Sequence, residues 1–435
     1  MKYCQIININ NDRGTTTPIL LVKDKISILT LTYIRDLELR GKSQSTIQKI
    51  LQSIAYMWDF YLTFEDTFKN RNDILKKYSE LSLNGSVDSN DLDKNLLFWK
   101  PVKLNTVKLD INNLTEYSLF LEQNFNGISL NPLEEKFKED IEYVIKKGIQ
   151  QKYSFLNHIT NRRKSVKIKS FDRKDSYGKH SFSNFKAFPY NKVNDLIKIS
   201  SLRDKLIFIL LSYGGCRSSE IFHLFLNDIS FNQKNQTAFV SLVNPVEGYI
   251  EWSKNGKEKK GTRKEYLLNK YNLIPRNIKK DKYYAGWKSM TEDDGKRHIS
   301  NIYWSNPDMG KLFYQLHLQY MELRLKMNVN HPYYFVSLSK NEYGQPLTMN
   351  ALKNKFNQII KKIELSNSID GCNLHGLRHF YGYYCANKLK VSKEVTQRMM
   401  HHRSIKSTEI YYQKSMQTLE EELNKGYLSL KEANE

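Results

Sequence analysis

The chain has 435 residues, of which 40% are hydrophobic and 26% charged, the make-up of a folded globular protein rather than a fibrous or disordered one. This length exceeds the usual size of one domain and predicts two. Lysine plus arginine outnumber aspartate plus glutamate by 68 to 46, a net charge of +22. Because the basic residues are spread through sequence rich in Tyr and Phe, nucleic acid is favoured over a membrane surface as the polyanionic partner, with a merely soluble basic surface as the alternative.

The cysteines and the apolar runs exclude several classes of protein. The cysteines are far apart and form no Cys-x-x-Cys pair, so neither a zinc knuckle nor a disulfide framework is expected. The N-terminus has no apolar signal core, and the longest apolar run is too short to span a bilayer. The sequence therefore predicts an intracellular, cytoplasmic protein. The cysteines are Cys4, Cys216, Cys372 and Cys385, and the longest apolar run covers residues 206–211.

The first part of the chain predicts a small helical domain. Residues 1–23 are interpreted as an N-terminal extension. Apolar residues at helical spacing over residues 24–61 predict two helices, broken at Gly41-Lys42, with Ser45 and Gln48 as a capping box for the second. Further helical patterns cover residues 114–125 and 137–149. A helical domain over residues 24–160 follows.

A basic, polar segment over residues 161–188 predicts an interdomain linker. Its start, from Asn161 to Lys169, holds five lysines and arginines with little apolar periodicity. The segment is interpreted as a linker that follows phosphates, and a solvated loop without a ligand is the alternative.

Residues 189–416 predict a second domain of mixed structure. A helix over residues 202–213 ends at Gly214-Gly215, and strand-like segments follow at residues 237–243, 249–253 and 263–268. Asn255-Gly256 predicts a turn between the last two segments. Helical patterns resume at residue 347. The fold class expected is mainly α with a small antiparallel β-sheet (α+β).

Two basic clusters in this domain suit an oxyanion. Arg217 follows the Gly214-Gly215 break, where a helix start and a guanidinium would together hold a phosphate, although an ion pair with Glu220 is the alternative. Farther on, His375 and Arg378 lie three residues apart, on one face of a predicted helix.

A histidine and a tyrosine follow these two basic clusters in the chain. His402 precedes Tyr411 by nine residues. A tyrosine hydroxyl is a poor nucleophile unless proton removal and charge neutralisation are arranged around it. Two arginines and two histidines supply donors for the charge that a phosphodiester gains during attack, and no metal is required.

Arg217, His375-x-x-Arg378, His402 and Tyr411, in that order, resemble the signature of the tyrosine recombinase (phage integrase) family. The resemblance covers roughly residues 189–416 and, weakly, residues 43–61, which are similar to the family's core-binding domain. Two departures are Met400-His401-His402, where the family has Leu-Gly-His, and a long insertion over about residues 270–330.

This resemblance implies the chemistry. Tyr411 would attack the DNA backbone and form a 3′-phosphotyrosyl link, with Arg217, His375, Arg378 and His402 as the other catalytic residues. A lysine in a β-hairpin would protonate the leaving 5′-oxygen. Lys254 is the preferred candidate and Lys257 the second, and for each a solvated side chain is the alternative.

The resemblance also implies partners: double-stranded DNA, four protomers on two DNA sites, and accessory proteins in some systems. The role would be the integration, excision or transposition of a mobile element, near the nucleoid, with no cofactor. In the tail over residues 417–435, the four-residue spacing of Leu419, Leu423 and Tyr427 predicts a helix that docks on a neighbouring protomer or packs on its own domain. A type IB topoisomerase and an inactive DNA-binding accessory protein are the alternative functions.

Overall fold

The computed structural model describes most of the chain, which divides into two compact units, Met1–Lys179 and His180–Glu435. Each unit has its own hydrophobic core. The described residues are 1–10, 16–68, 71–88, 92–127, 130–131, 133–137, 165–169, 187–254, 256–279, 281–412, 423–424 and 427.

The N-terminal unit combines a three-stranded antiparallel sheet with four helices in its described part. The sheet has the order β1-β2-β3, and a separate antiparallel pair, β4 with β5, lies later in the chain. The elements are β1 (Cys4–Asn10), β2 (Thr16–Val22), β3 (Lys25–Ile26), α1 (Ile28–Leu39), α2 (Gln44–Phe64), α3 (Arg71–Asn84), α4 (Leu104–Phe125), β4 (Leu133–Phe137) and β5 (Ser165–Lys169).

The helical hairpin predicted over residues 24–61 is confirmed as α1 and α2, but its predicted cap is wrong. Ser43, not Ser45, caps α2, because its side chain accepts a hydrogen bond from the backbone N–H of Thr46 at 3.3 Å. Ser45 lies inside the first turn. The two serines are close enough in sequence for either to fit the capping pattern, and the chain takes the earlier one.

The first strands contribute to the core of this unit. Cys4 of β1 and Leu20 of β2 belong to the same buried cluster as the apolar side chains of α2. The buried carboxylate of Asp59 in α2 accepts hydrogen bonds from the backbone N–H groups of Lys2, at 2.8 Å, and Tyr3, at 2.7 Å. A buried acid that receives several N–H bonds is well satisfied, so Asp59 ties residues 1–4 to the helices.

Two predictions for this half of the chain lie mainly outside the described residues. The helix expected over residues 137–149 has only Phe137 described, at the end of β4. Of the basic linker expected over residues 161–188, the structure describes residues 165–169, as β5, and the first residues of the next unit, 187–188.

The C-terminal unit is mainly helical, with small antiparallel sheets, and this confirms the predicted fold class. A three-stranded sheet has the order β10-β7-β6, and β8 pairs with β9. The elements are α5 (Val193–Lys198), α6 (Leu202–Ser212), β6 (Ile229–Asn232), β7 (Thr237–Val243), β8 (Tyr249–Lys254), β9 (Lys257–Thr262), α7 (Arg263–Tyr271), β10 (Ile299–Asn301), α8 (Pro307–Leu325), α9 (Met349–Lys362), α10 (Leu374–Tyr383), α11 (Lys393–Met399) and α12 (Lys406–Glu409).

Helix α6 forms the centre of this unit. Residues Leu206 to Leu211 are each 0% exposed, so the helix is surrounded on all sides, as expected for an element that is apolar all round. Its first turn buries the Arg203–Asp204 ion pair at 2.6 Å. Because α6 is fixed by packing on every face, the turn that follows it is held in a defined place.

The strand predicted over residues 263–268 is wrong. These residues begin α7, and Thr262 and Glu265 form a capping box in which each side chain accepts from the other's backbone N–H. The partner of β8 is instead the highly charged β9, in register from Tyr249–Thr262 to Lys254–Lys257. Apolar alternation could not indicate an exposed strand of this composition.

The first part of the long insertion, up to β10, lies within the sheet rather than after it. Strand β10 pairs antiparallel with β7, Ile299 opposite Val243, so the residues between these two strands form one extended connection. The hairpin β8–β9 and helix α7 belong to this connection. Within the described residues, no helix combines the length and the apolar content that crossing a bilayer requires. The tail over residues 417–435 lies outside the described residues except for 423–424 and 427.

Candidate active site

The first part of the site is the tight turn after α6. Gly215 has a φ of 69°, and a Cβ there would lie 2.8 Å from the ring of Tyr381, so both conformation and space require glycine. Arg217 follows two residues later. The helix start predicted after Arg217 is wrong, because the next element is a short 3-10 turn, Glu220–His223.

The carboxylate of Glu220 holds Arg217 in place. Its oxygens accept from the backbone N–H of Arg217 at 2.7 Å and from Nη1 at 2.5 Å, and Arg378 Nη1 lies 3.9 Å away. Glu220 is 1% exposed, so the ion pair considered as an alternative from the sequence is present and buried. Two guanidinium groups share one carboxylate. The positive charge that remains is available to an anion.

Helix α10 brings His375 and Arg378 to the same place. Asn373 caps this helix by accepting from the backbone N–H of Gly376 at 2.9 Å. Arg378 is buried, with 2% exposed, whereas His375 lies exposed at the helix start. The three-residue spacing places both side chains on one helix face.

Arg378 joins the separate turns of the site. Its Nη1 donates to the carbonyl of Gly215, and its Nη2 donates to the carbonyl of Met400 at 2.5 Å. Gly215 precedes Arg217, and Met400 precedes the His401-His402 pair. One guanidinium therefore fixes the turn of the first arginine against the turn of the last histidine.

His402 lies in the turn after α11. Its Nδ1 is 2.9 Å from the hydroxyl of Thr408, and 7% of the residue is exposed. Its neighbour His401 has a φ of 52° and points its Nε2 toward Asp293, 3.9 Å away. The two histidines thus face different groups, and His402 is the one that lies beside Tyr411.

Tyr411 is seated against α10 and the turn that follows that helix. A Cβ on Gly382 would lie 2.6 Å from the Tyr411 ring, so the ring rests directly on the backbone. Asn387, in the π-helical turn Tyr384–Lys388, donates to the Tyr411 carbonyl at 2.9 Å. Such π-turns are frequent at functional sites. Only 7% of Tyr411 is exposed.

The hydroxyl of Tyr411 contacts a histidine. It lies 3.0 Å from Nδ1 of His379, one residue after Arg378. The ring of His402 stacks on the Tyr411 ring, with the planes 12° apart and the centroids separated by 6.3 Å. The phenol is therefore enclosed by two imidazoles, one at its face and one at its oxygen.

Tyr412 faces another part of the unit. Its hydroxyl lies 2.6 Å from the hydroxyl of Thr396 and donates to the carbonyl of Val391 at 2.6 Å. Both tyrosines follow the four-residue helix α12, in turns. Their side chains nevertheless diverge, and the histidine cluster surrounds Tyr411.

Burial and charge shift the pKa values of these groups. Desolvation raises the pKa of Tyr411 to about 12, against the opposing effect of Arg378 and then Arg217. Desolvation, with Arg378 and Arg217 next, lowers the pKa of His402 to about 3. For His375, whose ring still reaches the surface, desolvation followed by the charges of Arg378 and Lys288 lowers the pKa to about 4. Both histidines are neutral near pH 7.

Lys254, the lysine preferred from the sequence as the proton donor, is bound by helix α7. Lys254 ends β8, and its ammonium group donates to the carbonyl of Asn269 in α7 at 2.5 Å. Lys257 begins β9 and is exposed. The described contacts of Lys254 therefore tie it to α7.

Another lysine lies in a segment that borders the cluster. Lys288 is exposed, and its charge acts on His375. Three residues later, Thr291 donates to the carbonyls of His401 and His402, each at 3.4 Å. Trp287, one residue before Lys288, meets His223 edge-on, with the ring centroids 5.2 Å apart. This segment thus runs from the 3-10 turn after Arg217 to the turn of His402.

The family model described as the phage integrase family matches residues 185–418, more than half of the chain. The chain belongs to the phage integrase family. It is a site-specific tyrosine recombinase, an enzyme that cleaves and rejoins DNA through a tyrosine without metal or ATP. A comparison with curated proteins gives no significant match.

Several solved recombinase structures are similar to this recombinase. XerH bound to its difH substrate has 14% identity and a TM-score of 0.48, covering 91% of this chain and 87% of that one. The Tn1549 transposon integrase with circular intermediate DNA has 12% identity and a TM-score of 0.45, covering 91% and 99%. A lambda integrase dimer on a COC′ core site has 15% identity and a TM-score of 0.39, covering 88% and 76%.

Sequence reasoning missed four residues of the recombinase site. His379 follows Arg378 directly, but adjacency alone gave no reason to assign it a role. Asn387 and Lys288 come from a π-turn and an insertion, neither of which has a pattern that points to the site. Gly382 lies three residues after His379, and the need for glycine there is evident only from the Tyr411 ring that rests on it.

We expect Gly382→Ala to slow covalent adduct formation by roughly 10²-fold, because the new methyl group must displace the Tyr411 ring from its seat. DNA affinity, measured by fluorescence anisotropy, should be unchanged. Gly295→Ala is the matched control, since a Cβ there meets its nearest atom at 4.0 Å. Equal cleavage rates for the two variants would contradict this seating of Tyr411.

Proposed function

We propose that the protein recombines duplex DNA at specific sites through a 3′-phosphotyrosyl link to Tyr411, with Arg217, His375, Arg378 and His402 around the scissile phosphate. The observation that carries this proposal is the convergence of three separate chain segments on Arg378. That residue bonds the carbonyls beside Arg217 and His402 and shares a helix with His375. Tyr411 lies against the same helix.

The charges of the cluster suit the reaction. In the attack, the Tyr411 oxygen forms a bond to phosphorus while the bond from phosphorus to the 5′-oxygen breaks. The non-bridging oxygens gain charge, and fixed donors in a partly dry site stabilise that charge. Arg217 and Arg378 supply such donors, and Glu220 keeps them oriented. Since the phosphotyrosyl link preserves the energy of the broken bond, the later attack by a 5′-hydroxyl needs no ATP.

The leaving 5′-oxygen needs a proton, and three lysines compete for this role. Lys254 and Lys257 fit the hairpin position predicted from the sequence. Lys288 has support of a different kind, since its charge acts on His375 and its segment borders the His402 turn. We favour Lys288, because Lys254 is engaged by Asn269.

A 5′-bridging phosphorothiolate substrate distinguishes the three lysines. Its thiolate leaving group needs no proton, so cleavage by the variant that lacks the acid should recover to near the wild-type rate. We expect this recovery for Lys288→Ala, with Lys254→Ala and Lys257→Ala cleaving ordinary DNA at nearly wild-type rates. Selective recovery of Lys254→Ala would restore the assignment made from the sequence.

The partner and the biological role extend this proposal. The net charge of +22 suits a protein that encloses DNA. The XerH, Tn1549 integrase and lambda integrase structures each contain DNA. We propose that four protomers act on two DNA sites in the cytoplasm, at the nucleoid. In each protomer, residues 24–160 form a core-binding domain and residues 189–416 the catalytic domain. Residues 161–188 are the linker between them, and residues 417–435 are a docking tail. Movement of a mobile element is the proposed role.

Covalent capture in the native host tests the function. DNA ends attached to the protein are isolated and sequenced, and duplexes with that sequence are then given to the purified full chain. We expect recombinant products from two such duplexes. Relaxation of any supercoiled plasmid without partner exchange would indicate a type IB topoisomerase, and the absence of any adduct would indicate an accessory protein.

A further inference from the structure

The reactive oxygen of Tyr411 is in contact with a histidine that the family signature does not include. His379 Nδ1 lies 3.0 Å from this oxygen, and the two ring centroids are 5.7 Å apart. Both residues lie in the described part of the C-terminal unit. A base must be within hydrogen-bond reach of the proton it removes, and this distance meets that condition.

The other two histidines of the site have different positions. His402 stacks on the face of the Tyr411 ring and directs its Nδ1 to Thr408 at 2.9 Å. His375 meets His379 edge-on, with the centroids 4.6 Å apart. Among the described residues, His379 is thus the histidine hydrogen-bonded to the nucleophilic hydroxyl, and His375 lies behind it, one helical turn toward the start of α10.

We propose that His379 is the proton acceptor for Tyr411, an assignment that rests on the proposed function. As Tyr411 attacks, its O–H bond breaks and the proton passes to Nδ1 of His379, while the oxygen bonds to phosphorus. The bond from phosphorus to the 5′-oxygen breaks, and the lysine acid protonates that oxygen. In the joining step the 5′-oxygen bonds to phosphorus and gives its proton back to the lysine, while the bond from phosphorus to the Tyr411 oxygen breaks and His379 returns its proton to the departing phenolate. Protons and electrons balance in both directions.

The local structure gives His379 a defined position for this task. It is the residue after Arg378, whose guanidinium is fixed by two backbone carbonyls. Gly382 lies three residues later and therefore on the same helix face. One face of α10 thus seats the Tyr411 ring on Gly382 and places His379 at the hydroxyl.

The phenol needs such a partner. Desolvation raises the pKa of Tyr411 to about 12, so little of it is ionised near pH 7. The charges of Arg378 and Arg217 act on it, and the His402 ring lies beside it, nearly parallel to its own ring. These guanidiniums stabilise the phenolate as it forms, but guanidinium groups do not accept protons. A neutral imidazole, with a reference pKa near the working pH, does accept them.

Two substitutions separate proton transfer from positioning. His379→Gln keeps a hydrogen-bonding side chain but accepts no proton, and His379→Ala leaves room for added imidazole. Each is assayed in the full chain with a nicked duplex of the mapped site, by single-turnover formation of the covalent adduct. We expect both variants to cleave about 10²-fold more slowly, with DNA affinity and thermal unfolding close to wild type.

Imidazole and pH provide the decisive readouts. Added imidazole should accelerate His379→Ala at least several-fold and leave wild type unchanged. The rate of His379→Gln should keep rising with pH, as hydroxide replaces the base, above the pH at which the wild-type rate has levelled off. His298→Ala is the control, because His298 pairs with Glu292 instead.

The outcomes discriminate between the inference and the function on which it rests. Wild-type cleavage by His379→Gln, or a slow His379→Ala that imidazole does not accelerate and whose pH profile matches wild type, would overturn the role of His379 while leaving the recombinase assignment intact. Absence of an adduct with wild-type protein would instead refute the proposed function, and the inference with it.

Discussion

Tyr411→Phe should form no covalent adduct with DNA, and its cleavage should fall below detection, because the phenyl ring keeps the packing of the nucleophile but lacks the attacking oxygen. The ring contacts with Gly382 and His402 should be kept, so the fold and the DNA affinity should be retained. Loss of the hydrogen bond to His379 should cost about 1 kcal/mol of stability. The measurement is single-turnover adduct formation on a nicked duplex, with affinity measured by anisotropy.

Tyr412→Phe is the matched control, since it removes the same group from the adjacent residue. Its hydroxyl bonds Thr396 and the Val391 carbonyl, so the loss should cost about 1 kcal/mol of stability and leave the adduct intact. Mass spectrometry of the phosphotyrosyl peptide identifies the attached residue. A label on Tyr412 would mean that the interval from His402 to the nucleophile is one residue longer than in the family signature.

The signature residues could be predicted from the sequence because each belongs to a short local pattern. Arg217, His375 with Arg378, and His402 with Tyr411 are recognisable by order and spacing, and the structure brings all five into one cluster. The helices α1, α2 and α6 are also predictable from the sequence, since their apolar residues follow helical periodicity over several turns.

The parts that were not predicted depend on contacts between distant segments. Nothing in the local sequence tells that Asn387 bonds the Tyr411 carbonyl or that the insertion returns to the turn of His402 near Lys288. The α7 error has a local cause, because the apolar spacing of residues 263–268 fits a strand, whereas the Thr262–Glu265 capping box starts a helix. Capping chemistry outweighed apolar pattern at that position.

Arg378→Ala is expected to reduce the cleavage rate by about 10²–10³-fold or more, the usual effect of removing one donor to a developing oxyanion. The same change also affects folding. It leaves the carbonyls of Gly215 and Met400 without this donor and removes a cation from the buried Glu220, losses on the order of 3–5 kcal/mol for a broken buried ion pair. A loss of activity alone would therefore be ambiguous.

Arg203→Ala resolves this ambiguity, because Arg203 is a buried arginine of the same unit with a comparable set of partners. It pairs with the buried Asp204 at 2.6 Å and donates to the carbonyl of Val336 at 3.0 Å, away from the phosphate cluster. Thermal unfolding should show similar destabilisation of both variants. At a temperature where both remain folded and bind DNA, Arg203→Ala should form the adduct at close to the wild-type rate, and Arg378→Ala should form it about 10²–10³-fold or more slowly. If the two variants lose cleavage in proportion to their loss of stability, Arg378 acts on the fold rather than on the phosphate.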